Sequence, residues 1–384
     1  MRRPAPFLAF LLLAGGLAVS CSELMDNVSP LTDELSMQPP AAIGNPASPE
    51  KVELGRFLFW DPILSGEKDV ACATCHHPSR GYSDGRDLPL GVGAKGFGQD
   101  RHDQSGGRIP IVPRNVPTVI NAAFNGVISD DAIDPVLAPM LWDNRIQSLE
   151  AQSLDPLRTR NEMRGDAYPE KAALDSVVAR IAAIPEYEQL FRQAFPEPEP
   201  ISAENIGKAM AVFERTIVAT NSRFDQYVRG DEGALSATEK RGLFFFTRDG
   251  CYRCHSGPMF SDYKLHVLGV AENPRLSAPD SGAAGFAFRT PTLRNLSLTA
   301  PYMHNGTKAT LDEVLEFYNS NSSENPHVPH DRLDEDFFTL FNIDDDTREA
   351  MKAFLHALDD PNFDRTIPAR VPSGLPVGGS IQPE

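Results

Sequence analysis

The chain is poor in basic charge and in cysteine, and it has no apolar run long enough to cross a bilayer. Its 36 Lys and Arg are outnumbered by 53 Asp and Glu, giving a formal charge of −17. That balance argues against a nucleic-acid partner and suits docking of a basic protein. The longest apolar stretch, Phe7 to Val19, is shorter than the roughly 20 residues of a spanning helix. No βαβ alternation of strand and helix patterns appears. With 33 prolines and 28 glycines in 384 residues, the chain reads as two or three domains with many turns and long connections.

Arg2 and Arg3 precede the apolar stretch, which stops at Ala18-Val19-Ser20-Cys21. Residues 1–21 therefore read as an export signal. Their end is similar to a bacterial lipobox, with Cys21 as the lipidated residue and a lipid anchor as the expected contact with the membrane. Leucine is more usual where Ala18 stands, so ordinary cleavage stays open. The periplasm is the expected location, and residues 22–47 read as a tether.

Apart from Cys21, the cysteines form two pairs. Each is spaced C-x-x-C and followed at once by histidine: Cys72-Ala-Thr-Cys75-His76 and Cys251-Tyr-Arg-Cys254-His255. C-x-x-C-H is the attachment signature of c-type haem. Two thiols one helical turn apart form thioethers to one porphyrin edge, and the adjacent imidazole reaches the iron. A four-thiolate zinc site leaves the two histidines without a role. A redox dithiol belongs at a strand-to-helix junction that the chain does not display, and exported cysteines also form plain disulfides. Two motifs that use every remaining cysteine point to two covalent haems.

The motifs sit in a repeated frame. Glu53-Leu-Gly-Arg-Phe-Leu-Phe-Trp60 precedes the first and Lys240-Arg-Gly-Leu-Phe-Phe-Phe246 the second, while Gly81-Tyr-Ser-Asp84 and Met259-Phe-Ser-Asp262 follow them. A duplicated module is implied: a mainly α fold of two tandem cytochrome c-like helical domains, each with one covalently bound haem. Ser236-Ala-Thr-Glu239 is a capping box that starts the second Phe-rich helix. Ile206, Met210, Phe213 and Ile217 line one face of a helix across Ser202–Thr220, which is expected to open the second module. Residues 48–200 are then the N-terminal domain, 201–367 the C-terminal domain, and 368–384 an irregular tail with little apolar content to bury.

Further strings carry a closer likeness: CATCHHPSRGYSDGR, RNVPTVINAAFN, LWDNRIQSLEAQSLDPL with NEM, and RTPTLRNLSLTAPYMHNGTKATLDEVLEFYN. Across residues 48–365 the chain resembles the bacterial dihaem cytochrome c peroxidase and MauG family. The resemblance implies a peroxidatic first haem and an electron-transfer second haem. It implies that Trp142 lies between them and that Glu162 is the acid–base group that moves a proton during O–O cleavage. Otherwise Trp142 is an ordinary core tryptophan and Glu162 an exposed helix-end residue. It also implies a calcium site of Asn115 with backbone oxygens of Thr299 and Pro301, hard donors suited to Ca²⁺, and a homodimer.

The sixth ligands separate the subtypes. Members that need reductive activation have a histidine in the loop after the first haem. Here Leu88–Gly98 has none, Val92 stands at that spacing, and His102 is the nearest alternative. An open first haem is expected. Thr310-Leu-Asp-Glu313 forms a capping box, and Tyr318 on the helix it opens aligns with the ligand of the second haem, as in MauG, with Leu311 and Val314 or Leu315 on the same face. If Tyr318 is only a core aromatic, Met259 or Met303 takes its place. A phenolate favours oxidised iron, whereas a thioether raises the potential. Asp249 stands where MauG has a surface tryptophan, which argues against MauG's own protein substrate. The expected function is reduction of hydrogen peroxide by electrons from a small redox protein, a cytochrome c or a cupredoxin. The alternative is oxidation of residues on a dedicated partner protein through high-valent haem.

Overall fold

Each half of the chain is built on two helices that cross closely, one before its C-x-x-C-H motif and one well after it. They are seen in a computed structural model describing residues 39–40, 42, 44–127, 134–339 and 343–381. The expected signal, Cys21 and most of the tether lie outside the described residues. The longer helices are α1 (Pro49–Trp60), α2 (Ala173–Ala182), α3 (Pro185–Ala194), α4 (Ala203–Glu214), α5 (Ala237–Arg248), α6 (Leu311–Ser320) and α7 (Asp345–Ala357). The described strands are two-residue antiparallel pairs, such as Leu265–His266 against Phe288–Arg289. The fold is mainly helical.

Local sequence explains where these helices begin. Ser48 caps α1 by accepting from the Lys51 amide, with Pro49 in the first turn. Ser236 and Glu239 form the complete capping box expected for α5. The box expected at α6 is only half made. Thr310 accepts from the Glu313 amide, but the Glu313 carboxylate turns to the Ala309 amide.

In the first half α1 crosses α4 at Gly55, where a Cβ would collide with Ala209 O and Phe213 Cβ. Leu54, Leu58, Ile206 and Met210 join Val177, Ile181, Tyr187 and Phe191 from α2 and α3 in one core. In the second half α5 crosses α7 at Gly242, where a Cβ would strike Ala350 O and Phe354 Cβ. Phe224, Leu243, Phe246, Phe260, Phe354 and Leu358 form that core. Only glycine lets these backbones approach so closely. Gly242→Ala is expected to destabilise the second half by about 1–3 kcal/mol, read as a lower midpoint in chemical denaturation. An unchanged midpoint would mean that the crossing yields at no cost.

Two expectations are corrected by this packing. Helix α4 does not open the second module. Its apolar face is filled by α1, α2 and α3, so the first half extends past residue 200. The C-terminal tail is irregular, but it is docked. Val371 is buried, and Val377 and Ile381 pack on the first half. Ser373 Oγ donates to Asp61 (2.6 Å), the Gly378 amide to Trp60 O (2.8 Å), and Thr74 Oγ1, inside the first motif, to Gly378 O (2.9 Å). The end of the tether is held too: Asn45 is buried and its amide donates to Glu150 and to Lys208 O.

Candidate functional site

The two C-x-x-C-H motifs adopt the same arrangement. Each cysteine pair lies on a single short turn, Cys72–Cys75 helical and Cys251–Arg253 of the tighter 3₁₀ kind. All four thiols are free. His76 Nδ1 lies 3.0 Å from Tyr82 O and His255 Nδ1 lies 2.9 Å from Phe260 O. A carbonyl only accepts, so each Nδ1 carries the proton and each Nε2 is left as a metal donor. Both receiving carbonyls belong to residues with positive φ, Tyr82 at 56° and Phe260 at 53°, which turns the chain back under the imidazole. Burial lowers both histidine pKa values, opposed by those carbonyls and by Pro117 and Pro291. Two neutral imidazoles result, as iron ligation requires.

The thiols themselves separate the open alternatives. Burial pushes Cys75 and Cys251 up to about 12, and raises Cys72 as well. A redox dithiol needs a depressed thiolate, the opposite of this environment. The pairs also pack into separate cores, which removes a shared four-thiolate zinc site.

A mostly apolar cavity of about 250 Å³ opens beside the second motif. Cys251, Cys254 and His255 line it, with Phe246, Leu311, Leu315, Met351 and Leu355 from the helices around them. This donor set and apolar lining fit a porphyrin held by two thioethers and one imidazole. Tyr318 and Met303 reach the same cavity, whereas Met259 packs with Ala123, Phe124 and Tyr263 away from it. Burial, then the Cys254 and Cys251 thiols, raise the Tyr318 phenol above its usual range, an effect that a bound cation reverses. Asp249, at the position of the MauG tryptophan, is buried against Arg248 (2.5 Å) and lines the cavity.

Glu162 lies in a π-helical turn, Arg160–Arg164, and is half-buried rather than an exposed helix end. Its carboxyl acts electrostatically on both Cys72 and Cys75. Burial pushes it up to about 7, with Asp155 adding and Arg145 opposing. The Leu88–Gly98 loop packs on this turn: the buried Val92 donates its amide to Glu162 O (2.9 Å). Arg101 pins the loop through Leu90 O (2.6 Å) and Gly91 O (2.8 Å). His102 is exposed, with Nδ1 3.0 Å from Asp100 O.

The segment carrying Trp142 joins the halves. The buried Trp142 indole donates to Asn115 O (2.8 Å), the Asn115 amide to His304 O (2.8 Å), and the Arg289 amide to Trp142 O (2.7 Å). Arg114 pairs with Asp143 (2.7 Å) and Asp280 (2.6 Å) across the same seam. Trp142, Asn115, Thr299 and Pro301 all line the second-motif cavity. Asn115 Nδ2 is committed to Arg86 O, which leaves Oδ1 as the acceptor beside the two backbone oxygens.

Two features were missed in the sequence. Pro117-Thr-Val-Ile-Asn121 and Pro291-Thr-Leu-Arg-Asn295 repeat the same turn, with Asn121 and Asn295 both at φ 62°; the strings were readable as a second internal match. His266 sits between Asp262 (3.0 Å) and Asp334 (2.8 Å) beside Cys254. The hydrogen bond to Asp262 first, then the neighbouring Cys254 sulfur and Asp334, raise its proton affinity against burial. Its partners are 4 and 68 residues away, so only Asp262 left a local signal.

A family model described as di-haem cytochrome c peroxidase matches residues 49–233. The methylamine utilization protein MauG of Methylorubrum extorquens is 36% identical over 320 residues, 82% of this chain and 79% of that one. The cytochrome c551 peroxidase of Pseudomonas aeruginosa is 34% identical over 304 residues, covering 76% and 78%. The crystal structure of a MauG-like protein associated with microbial copper homeostasis superposes with a TM-score of 0.68 at 29% identity, covering 84% of this chain and 93% of that one.

Proposed function

Because the chain belongs to the di-haem cytochrome c peroxidase family, whose members hold two c-type haems, we propose that it is an exported peroxidase that reduces hydrogen peroxide to water. Cys72, Cys75 and His76 hold the first haem, and Cys251, Cys254 and His255 the second. When bound, the first haem supplies the iron at which peroxide is cleaved, and the second passes electrons towards it. The balance is H₂O₂ + 2e⁻ + 2H⁺ → 2H₂O, with the electrons drawn from a small cytochrome c or cupredoxin. The chain's negative charge suits a basic donor.

The observation that carries this reading is Glu162. A carboxyl with a proton affinity near neutrality, electrostatically coupled to both cysteines of the first motif, is placed to accept one proton and return it. Trp142, bonded to both halves, is the aromatic bridge between the two sites. Asn115 Oδ1 with the Thr299 and Pro301 carbonyls is the proposed Ca²⁺ site at the same seam. The periplasm is the proposed location. Among the described residues no helix is long and apolar enough to cross a membrane, and Cys21 is the proposed lipid attachment.

Tyr318 favours a second reading, in which oxidising equivalents are passed to a dedicated partner protein. It faces the second-motif cavity from α6, where a phenolate on the iron would stabilise the oxidised form. Steady-state peroxide turnover by the fully oxidised enzyme with reduced cytochrome c or cupredoxin decides between them. Fast turnover without prior reduction is expected. Slow turnover with a long-lived oxidised state would move the assignment to partner oxidation. Reaction by the half-reduced form alone would sink both the open first haem and the role given to Tyr318.

A further inference from the structure

The two helix crossings match residue for residue. Gly55 meets Ala209 and Phe213; Gly242 meets Ala350 and Phe354. Those pairs are therefore equivalent, and the next residue along is Glu214 in the first half and Leu355 in the second. Leu355 lines the cavity beside the second C-x-x-C-H motif. Where the second half places leucine beside its C-x-x-C-H motif, the first half places a carboxyl group close enough to Cys72 to act on it.

Glu214 is 5% exposed, and no hydrogen bond or ion pair among the described residues ends on its carboxyl. The charges around it are committed elsewhere. Arg215 is paired with Glu150 through bonds of 2.6 and 2.8 Å. Lys208 is paired with Glu204. From α1, Arg56 lies over the Phe213 ring and pairs with Asp364, while Lys51 donates to Asn45. Cys72 is the remaining titratable neighbour, and as a thioether it carries no charge. Burial pushes Glu214 up to about 8, with Arg215 opposing and Glu150 adding.

We propose that Glu214 is a redox-linked proton acceptor for the first haem, taking up one proton from solvent when that iron gains one electron. The inference rests on haem attachment at Cys72 and Cys75 as given above. A ferric porphyrin carries one net positive charge, and reduction removes it. In a water-poor site that charge favours a neighbouring carboxylate, and its loss favours the acid. The step balances as ferric iron, carboxylate, one electron and one proton going to ferrous iron and carboxylic acid. The electron comes from the redox donor or, in the test, from the reducing titrant.

The test is a spectroelectrochemical titration of the first haem from mildly acidic to mildly alkaline pH. It is paired with a reduced-minus-oxidised infrared difference spectrum. In the wild type the potential should fall as pH rises, and a carboxylic-acid carbonyl band should appear on reduction. In Glu214→Gln and in Glu214→Leu, which installs the residue the second half already carries, both signals should be lost. Persistence of slope and band in both variants, or their loss in Glu162→Gln instead, would overturn the proposal. So would a flat potential in a haem-loaded wild type. Mass spectrometry beforehand keeps the two readings apart, since a protein without haem on Cys72 and Cys75 sinks the functional assignment itself.

Discussion

Glu162→Gln is expected to lower peroxide turnover by about 10²–10⁴-fold and to leave both haem spectra nearly intact. Glutamine keeps the size of the side chain and a hydrogen-bonding tip, but it cannot take and return a proton. The backbone around residue 162 does not depend on the carboxyl. The π-helical turn is closed by main-chain bonds to Thr159 O and Arg160 O, and the Val92 amide bonds to Glu162 O. The loop that shapes the site should therefore survive the substitution. The carboxyl must start ionised to accept the first proton. With the group pushed up to about 7 by burial, wild-type kcat/KM should rise as pH passes upward through that region, and the variant should lack this limb. Stability runs the other way. The folded carboxyl binds its proton more tightly than the unfolded one, whose pKa is about 4.3. Its contribution to folding is therefore lost as pH rises from about 4.3 to about 7. Glu162→Gln should be at least as stable as the wild type in mild alkali, so lost activity there cannot be ascribed to unfolding. Unchanged turnover would remove Glu162 from the chemistry.

Local chemistry in this protein was legible in the sequence, and long-range pairing was not. The C-x-x-C-H motifs, the Ser236–Glu239 box and the Ile206, Met210 and Phe213 face of α4 all depend on residues within four positions of one another and lie where they were read, although the helix expected to run to Thr220 stops at Glu214 and leaves Ile217 beyond it. Which partner α4 chooses does not depend on such neighbours. Ile206 and Met210 would serve equally well against either Phe-rich helix, because the Gly-x-Phe frame is present in both. The choice is made by Gly55 fitting against Ala209 and Phe213, a complementarity visible only once the helices are together. The tail is misjudged for another reason. Besides three scattered apolar residues, Val371, Val377 and Ile381, its anchors are hydroxyl and main-chain bonds from Ser373, Gly378 and Ser380 to Asp61, Trp60 and Asp69, and apolar periodicity does not report these. At the site, Trp142 and Asn115 carried roles only through the family resemblance. The indole-to-carbonyl bond between them spans 27 residues and leaves no local trace.

Removing the second haem should unfold the half that surrounds it. The variant is Cys251→Ser/Cys254→Ser with His255→Gly, so that the iron finds neither thioether nor imidazole. The cavity beside these residues is about 250 Å³, and an unfilled core cavity costs about 24 cal/mol per Å³. The penalty is about 6 kcal/mol, within the 5–15 kcal/mol or so that holds a whole domain together. The residues that would have to close the gap are poorly placed to do so. Leu315, Ile343 and Met351 already pack on one another and on Phe245, and α5 and α7 are fixed at closest approach by Gly242. Collapse would demand that the crossing slide, which the Ala350 carbonyl blocks. Losing the cavity therefore means losing the helix pair. The first half has its own core of Leu54, Leu58, Tyr187, Phe191 and Met210, and what the second half adds to the neighbouring cluster around Cys72 is Leu298 and Phe363, so the first half should keep its haem and much of its helix. Mass spectrometry should find one haem where the wild type has two. Circular dichroism should show a partial loss of helix, and limited proteolysis should cut first within residues 237–357. A variant with one haem, full helix content and an unchanged denaturation midpoint would show that the second half folds without its cofactor, and that the cavity is a preformed receptacle and not a space the porphyrin itself holds open.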